Sequence, residues 1–132
     1  MAAGDVAFLT EDEILELHEM ALDQHGGVAG HRSELVSAVA EYPRNKCGYL
    51  DAFPSIPALA GYYAFAAAKF HPFADGNKRV AAAILEVFLL KNGMELIADD
   101  DDAYVAIEDL AAGNIGEEDI AAWVSENSVP ID

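Results

Sequence analysis

The sequence predicts an all-α domain of six helices with an irregular segment ahead of its central motif. Apolar residues recur at three- and four-residue spacing in several separate stretches, and helix start and stop signals bracket those stretches. No pattern of alternating apolar and polar residues repeats along the chain, so nothing specifies a sheet.

Thr10-Glu11-Asp12-Glu13 reads as a capping box, with Leu9 available as a hydrophobic staple. Ile14, Leu17, His18, Ala21 and Leu22 then form one face of a first helix that ends before Gly26-Gly27. A second helix is expected from Ser33 to Glu41, stopped by Pro43. The segment Tyr42 to Pro57 holds Pro43, Gly48, Pro54 and Pro57 and reads as irregular or short extended structure. A third helix, from about Ala58 to Phe70, carries Leu59, Tyr62, Tyr63, Ala66 and Phe70, and its many alanines permit close helix packing. A fourth runs from Asn77 to Lys91, with Val80, Ala81, Ile84, Leu85, Phe88 and Leu89 at helical spacing and a stop at Asn92-Gly93. Asp101 to Ala112 and Glu117 to Ser125 give two more, the last with Ile120, Trp123 and Val124 on its inner face. The run Asp99-Asp100-Asp101-Asp102 is read as the solvated cap of a helix N-terminus rather than a metal site. With no internal repeat or low-complexity linker, residues 1–132 are expected to form one domain.

An apolar fraction of 53% with mean hydropathy +0.14 indicates a folded body rather than a disordered chain. No apolar run approaches the length of a membrane span and the N-terminus lacks a leader pattern, so the expectation is a cytoplasmic protein with no membrane partner. Cys47 is the single cysteine, which rules out an internal disulfide and reads as an inert thiol. His18, His25 and His31 lack metal-ligand spacing and read as surface or packing residues. Twenty-four acidic residues against seven basic ones give a net charge of −17, a field that repels nucleic acid. Such acidity suits either a salt-rich cytoplasm or a basic partner protein.

Two of the seven basic residues stand side by side in the stretch His71-Pro72-Phe73-Ala74-Asp75-Gly76-Asn77-Lys78-Arg79-Val80-Ala81. Gly76-Asn77 falls where the first N–H groups of the fourth helix point outward unpaired, at the positive end of its dipole. Cations at that position are unfavourable for a purely structural helix, by roughly a few tenths of a kcal/mol. A bound phosphate accounts for them, since open backbone donors, a lysine and a bidentate arginine all favour it.

This stretch resembles the Fic/Doc family. The Fic signature reads roughly HxFx[D/E]GNGRxxR, and the Doc branch, the death-on-curing toxins of toxin–antitoxin pairs, has HxFx[D/N][A/G]NKR. His71, Phe73, Asp75, Gly76, Asn77, Lys78 and Arg79 fit the Doc form, and Ala82 stands in place of the second Fic arginine. Leu9-Thr10, Gly30-His31-Arg32 and Phe88 to Gly93 extend the resemblance, while Val80 departs from the Thr of many relatives.

The chemistry of the side chains agrees with the roles that resemblance implies. Histidine is the residue type whose unperturbed pKa lies nearest neutrality, and His71 is the candidate catalytic base. Asp75 is the candidate Mg²⁺ ligand, a hard oxygen donor beside the phosphates of ATP. Gly76, Asn77, Lys78 and Arg79 are the candidate nucleotide- and phosphate-binding residues, with Phe73 anchoring the loop in the core. Lys78, where Fic AMP-transferases usually have Gly, implies the reversed nucleotide of Doc-like proteins and hence a protein Ser/Thr kinase. The target implied is a translation elongation factor of the Tu type, with Tyr49, Leu50 and Phe53 as candidate target contacts. AMP transfer and non-catalytic nucleotide binding stand as the alternatives. The Fic inhibitory motif [S/T]xxxE[G/N] is not met, because Ala122 precedes Glu126-Asn127 where Ser or Thr is required. Restraint is therefore expected from a separate chain, a cognate antitoxin.

Overall fold

A computed structural model describes residues 5–49 and 53–131. Its elements in chain order are α1 (Glu11–His25), α2 (Ser33–Tyr49), α3 (Ile56–Phe70), α4 (Asn77–Lys91), β1 (Met94–Leu96), α5 (Asp100–Ala112), α6 (Glu117–Glu126) and β2 (Ser128–Pro130). The six expected helices are present.

Helix α3 is the axis of the fold. Most of its residues are buried, including Leu59, Ala60, Tyr63, Ala64, Ala66 and Ala67, and it packs against α2, α4, α5 and α6. Its small residues allow this crowding. A Cβ at Gly61 would lie 2.7 Å from the backbone of Ala121 on α6, so only glycine lets these helices approach so closely. Helix α4 lies against α3 on one side and against α1 and α5 on others, burying Val80, Ile84, Leu85, Phe88 and Leu89.

Several local signals act as expected. The Thr10 side chain accepts from the Glu13 N–H at 3.1 Å and Glu13 accepts from the Thr10 N–H at 3.0 Å, completing the capping box. Asp99 caps α5 by accepting from the Asp102 N–H at 2.8 Å. Asn92 closes α4 and reaches back across the chain, accepting from the Ala7 N–H at 2.8 Å and donating to the Ala7 and Phe88 carbonyls. The Cys47 thiol donates to the Pro43 carbonyl, and burial pushes its pKa up, in keeping with an inert thiol.

The second helix does not stop at Glu41. It continues through Pro43 to Tyr49, so the first part of the segment read as irregular is helical. Proline inside a helix sacrifices one backbone hydrogen bond and costs about 3 kcal/mol. Contacts on either side of Pro43 offset that cost. Tyr42 packs its ring against Phe65 and Phe70 and donates its hydroxyl to Glu117. Lys46 pairs with Glu117 at 2.9 Å, and the Arg44 guanidinium sits 4.5 Å over the Phe8 ring. Helix α3 also begins two residues early, at Ile56, because the Ser55 hydroxyl caps it by accepting from the Ala58 N–H and Pro57 fits the first turn. Among the described residues, the irregular part of this segment is Phe53 to Ser55.

A short antiparallel ribbon adds to the helices: Met94 lies opposite Pro130 and Leu96 opposite Ser128. It ties the chain leaving α4 to the chain leaving α6. No helix of the described residues is long and apolar enough to cross a membrane.

Tyr63 illustrates how the N-terminal segment depends on α3. Its ring is fully buried beside Phe88, and its hydroxyl accepts from the Leu9 N–H at 3.0 Å. Burial pushes the phenol up to about 12. An unfolded phenol ionises near pH 10, so the stability held by the protonated ring is complete below that and is lost as pH rises from about 10 to 12. Tyr63→Phe leaves the Leu9 N–H without its acceptor and should cost about 1–3 kcal/mol at neutral pH by urea unfolding. The same variant should show a shallower loss of stability between pH 10 and 12.

Candidate functional site

The turn between α3 and α4 carries the motif. His71 ends α3 with φ 50° and ψ 59°, the one non-glycine positive φ among the described residues. A left-handed histidine costs about 1–2 kcal/mol and persists only where its surroundings fix it. Gly76, with φ 81°, then precedes α4 without any side-chain cap. The first N–H groups of α4 therefore face outward with no capping side chain, as the sequence implied.

Three neighbouring segments hold the turn. The backbone of residues 30–32 pairs with it: the Arg32 N–H donates to the Pro72 carbonyl and the Ala74 N–H donates to the Gly30 carbonyl, both at 2.9 Å. From α1, the buried His18 stacks flat on Phe73, with ring centroids 3.7 Å apart, and its Nε2–H donates to the Asp75 carbonyl at 2.8 Å. From α4, the buried Asn77 accepts from the Phe73 N–H at 3.0 Å and donates to the Phe73 carbonyl at 2.9 Å. Phe73 is thus buried beneath the turn, where the sequence placed it.

Those two backbone bonds fix the orientation of the Asn77 amide, and its Nδ2 lies 3.1 Å from His71 Nδ1. An amide nitrogen only donates, so His71 accepts at Nδ1 and the neutral ring carries its proton on Nε2. Asp75 is exposed and takes backbone N–H groups on both carboxylate oxygens, from Gly76 at 2.9 Å and Val28 at 3.1 Å. It therefore joins the α1–α2 loop to the motif as well as facing solvent.

His71, Asp75, Gly76, Asn77, Lys78 and Arg79 line one open cleft of about 1020 Å³. Its far wall is α5, with Tyr104, Glu108 and Asp109, and its near rim is His25 to Gly27 at the end of α1. Lys78 and Arg79 are exposed, and among the described residues neither forms an ion pair; Arg79 Cζ lies 4.1 Å from the Tyr104 ring centroid and Lys78 Nζ 5.9 Å. Tyr104, Glu108 and Asp109 carry no signal in the sequence, because nothing local marks a residue of α5 as facing α4. His18 lies on the apolar face of α1, where a polar ring must find a partner, but helical spacing carries no hint of which one.

Of the candidate target contacts, Phe53 stands apart from this group. Tyr49 is the last residue of α2, Leu50 lies outside the described residues, and Phe53 is half-buried against the core, away from the cleft lining. No group of three or more His, Cys, Asp or Glu side chains that could hold a metal occurs among the described residues.

Asn77→Ala removes the partners of both buried Phe73 backbone groups and should destabilise the fold by about 2–3 kcal/mol, read from the urea midpoint. Ring-nitrogen chemical shifts in the wild type should report His71 Nδ1 as the unprotonated nitrogen, and that preference should weaken in the variant.

No curated protein matches this sequence. A family model described as the Fic/DOC family matches residues 8–89, from the segment leading into α1 almost to the end of α4, with the whole motif turn inside it. Because the match covers more than half of the chain and contains the turn on which the cleft is built, the chain belongs to the Fic/DOC family.

Proposed function

We propose that this chain is a Doc-like toxin, an ATP-dependent kinase that phosphorylates a Ser or Thr hydroxyl of a protein in the cytoplasm. The target that the resemblance implies is a translation elongation factor of the Tu type. One observation carries the reading: in a chain of net charge −17, two adjacent cations without an ion-pair partner among the described residues stand at the uncapped N-terminus of α4, beside His71. That is a poor arrangement for stability and a good one for the phosphates of a nucleotide.

Each group has a part in the transfer. Lys78, Arg79 and the open N–H groups of α4 take the charge on the transferring phosphoryl oxygens. The residues fit a Mg²⁺ ion of the kind that shares its shell with phosphates and waters, since Asp75 offers an exposed carboxylate with lone pairs beyond those given to Gly76 and Val28. When bound, that ion would neutralise charge along the phosphate chain. His71 takes the proton of the attacking hydroxyl. A hydroxyl approaching Nε2 of the resting ring would meet a donor, so the ring must shift its proton to Nδ1 and release Asn77 before acting as base at that atom. Tyr49, Leu50 and Phe53 are proposed to meet the protein target.

Control of the enzyme is proposed to come from a cognate antitoxin. The groove beside the cleft, about 470 Å³, is floored by Leu17, Met20, Ala82, Ala83 and Val87, edged by Glu86, Asp100 and Asp101, and lined also by Arg79. Its apolar floor and acidic edge suit an amphipathic helix with basic flanks. Burial, with help from Asp100, raises the Glu86 pKa, so a cation arriving there would gain a partner and relieve a strained charge.

Labelled ATP tests the reaction. Label should pass to the target from the γ position and not from the α position, and His71→Ala should abolish the transfer. Lys78→Gly should slow it about 30- to 1,000-fold, the equivalent of roughly 2–4 kcal/mol of lost transition-state stabilisation. Lys91→Gln, at the other end of α4, should leave the rate nearly unchanged. Attachment of AMP by the wild type would overturn the kinase assignment.

Co-expression tests the partner. The product of the adjacent gene should relieve growth arrest and co-elute with this chain, with an association rate that falls as salt rises. Unrelieved arrest with no complex on size exclusion would reject that pairing.

A further inference from the structure

We infer that Tyr104 is a positioning residue for the motif cations: its ring holds Arg79 at the cleft without using the N–H donors that a phosphate requires. The inference rests on the phosphate-binding reading above. Tyr104 lies on α5, beyond residues 8–89, so the family match assigns it nothing.

The geometry is specific. Tyr104 is half-buried on the wall shared by the cleft and the neighbouring groove, and Arg79 Cζ sits 4.1 Å over its ring. Lys78 Nζ, one residue earlier, is 5.9 Å from the same ring. An exposed arginine samples many rotamers, and an anion that binds it must first order it. A carboxylate partner would order the side chain too, but would occupy its donor fork and neutralise its charge. Acids are plentiful here, and Glu108 and Asp109 line the same cleft, yet neither pairs with Lys78 or Arg79. An aromatic face attracts the cation through its quadrupole and forms no hydrogen bond with it. The donors stay open, and the charge remains available. The two lysines that do pair with carboxylates among the described residues, Lys46 and Lys91, fasten helices to their neighbours and do not line this cleft.

The test is a double-mutant cycle read by calorimetric binding of ATP with Mg²⁺ to the whole chain: wild type, Tyr104→Ala, Tyr104→Phe, Arg79→Ala and the Tyr104→Ala/Arg79→Ala pair. Tyr104→Ala should weaken binding about 3- to 30-fold, the range of a partly desolvated cation–π contact. Tyr104→Phe keeps the ring and should bind within about twofold of wild type. In the Arg79→Ala background, Tyr104→Ala should have little further effect, because the cation it positions is gone. A ring that merely supports α5 would weaken binding in both backgrounds, and that result overturns the inference. So does wild-type affinity in Tyr104→Ala while the wild type binds ATP normally, an outcome that leaves the kinase reading intact. If the wild type binds no ATP, the cycle is read with pyrophosphate, and binding of neither anion brings down both the kinase reading and this inference.

Discussion

Two polar side chains are buried among the described residues, His18 and Asn77, and both close on one turn. A buried polar group without a partner costs about 1–3 kcal/mol, so each is a constraint that the surrounding helices must satisfy. Asn77 satisfies itself on both backbone groups of Phe73, and His18 satisfies itself on the Asp75 carbonyl while its ring stacks on Phe73. The joint effect is to clamp the turn between α1 beneath and α4 ahead. That clamp explains how His71 is kept in a left-handed conformation and how Gly76 can open α4 without a capping side chain. The strain of the turn and its uncapped donors are sustained by packing several residues away.

The distribution of charge follows a second constraint. Although the chain has 24 acidic side chains, ion pairs among the described residues hold two of its seven cations. Lys46 and Lys91 are paired, the first joining α2 to α6 and the second joining α4 to α1. Lys78 and Arg79 instead meet an aromatic ring. The helix dipole at the start of α4 opposes both of them by roughly a few tenths of a kcal/mol, which makes the position a local loss of stability. A carboxylate on α5 paired with them would offset that loss but would occupy their N–H donors.

Helix α3 supplies the rigidity behind this arrangement. Because alanines and Gly61 let α6 and α4 press close on it, the C-terminal end of α3, where His71 sits, is set by the packing of the whole bundle. The wall opposite comes from α5, which touches both α3 and α4. The cleft is thus shared between the span matched to the family and a helix outside it, and its electrostatic character depends on both.

The sequence by itself determined the features that depend on neighbours a few residues away. Six helices, the Thr10–Glu13 box, the Asp99 cap and the open start of α4 at Gly76 all follow from side chains or backbone within one helical turn. The Ser55 cap is just as local, but Pro54 and Pro57 make the stretch read as irregular and move the expected start of α3 to Ala58 instead. Tertiary structure decided the rest. Helix α2 passes through Pro43 where Tyr42, Arg44 and Lys46 meet aromatic rings and Glu117 from other elements, contacts that offset the local cost of proline. The strands β1 and β2 are too short to show an alternating pattern and exist because two helix ends finish side by side. The partner of His18 and the meeting of Tyr104 with Arg79 join residues far apart in the chain. Local spacing fixes which face a helix buries, but which side chain waits across that face depends on how the helices cross, and only the packed bundle specifies that.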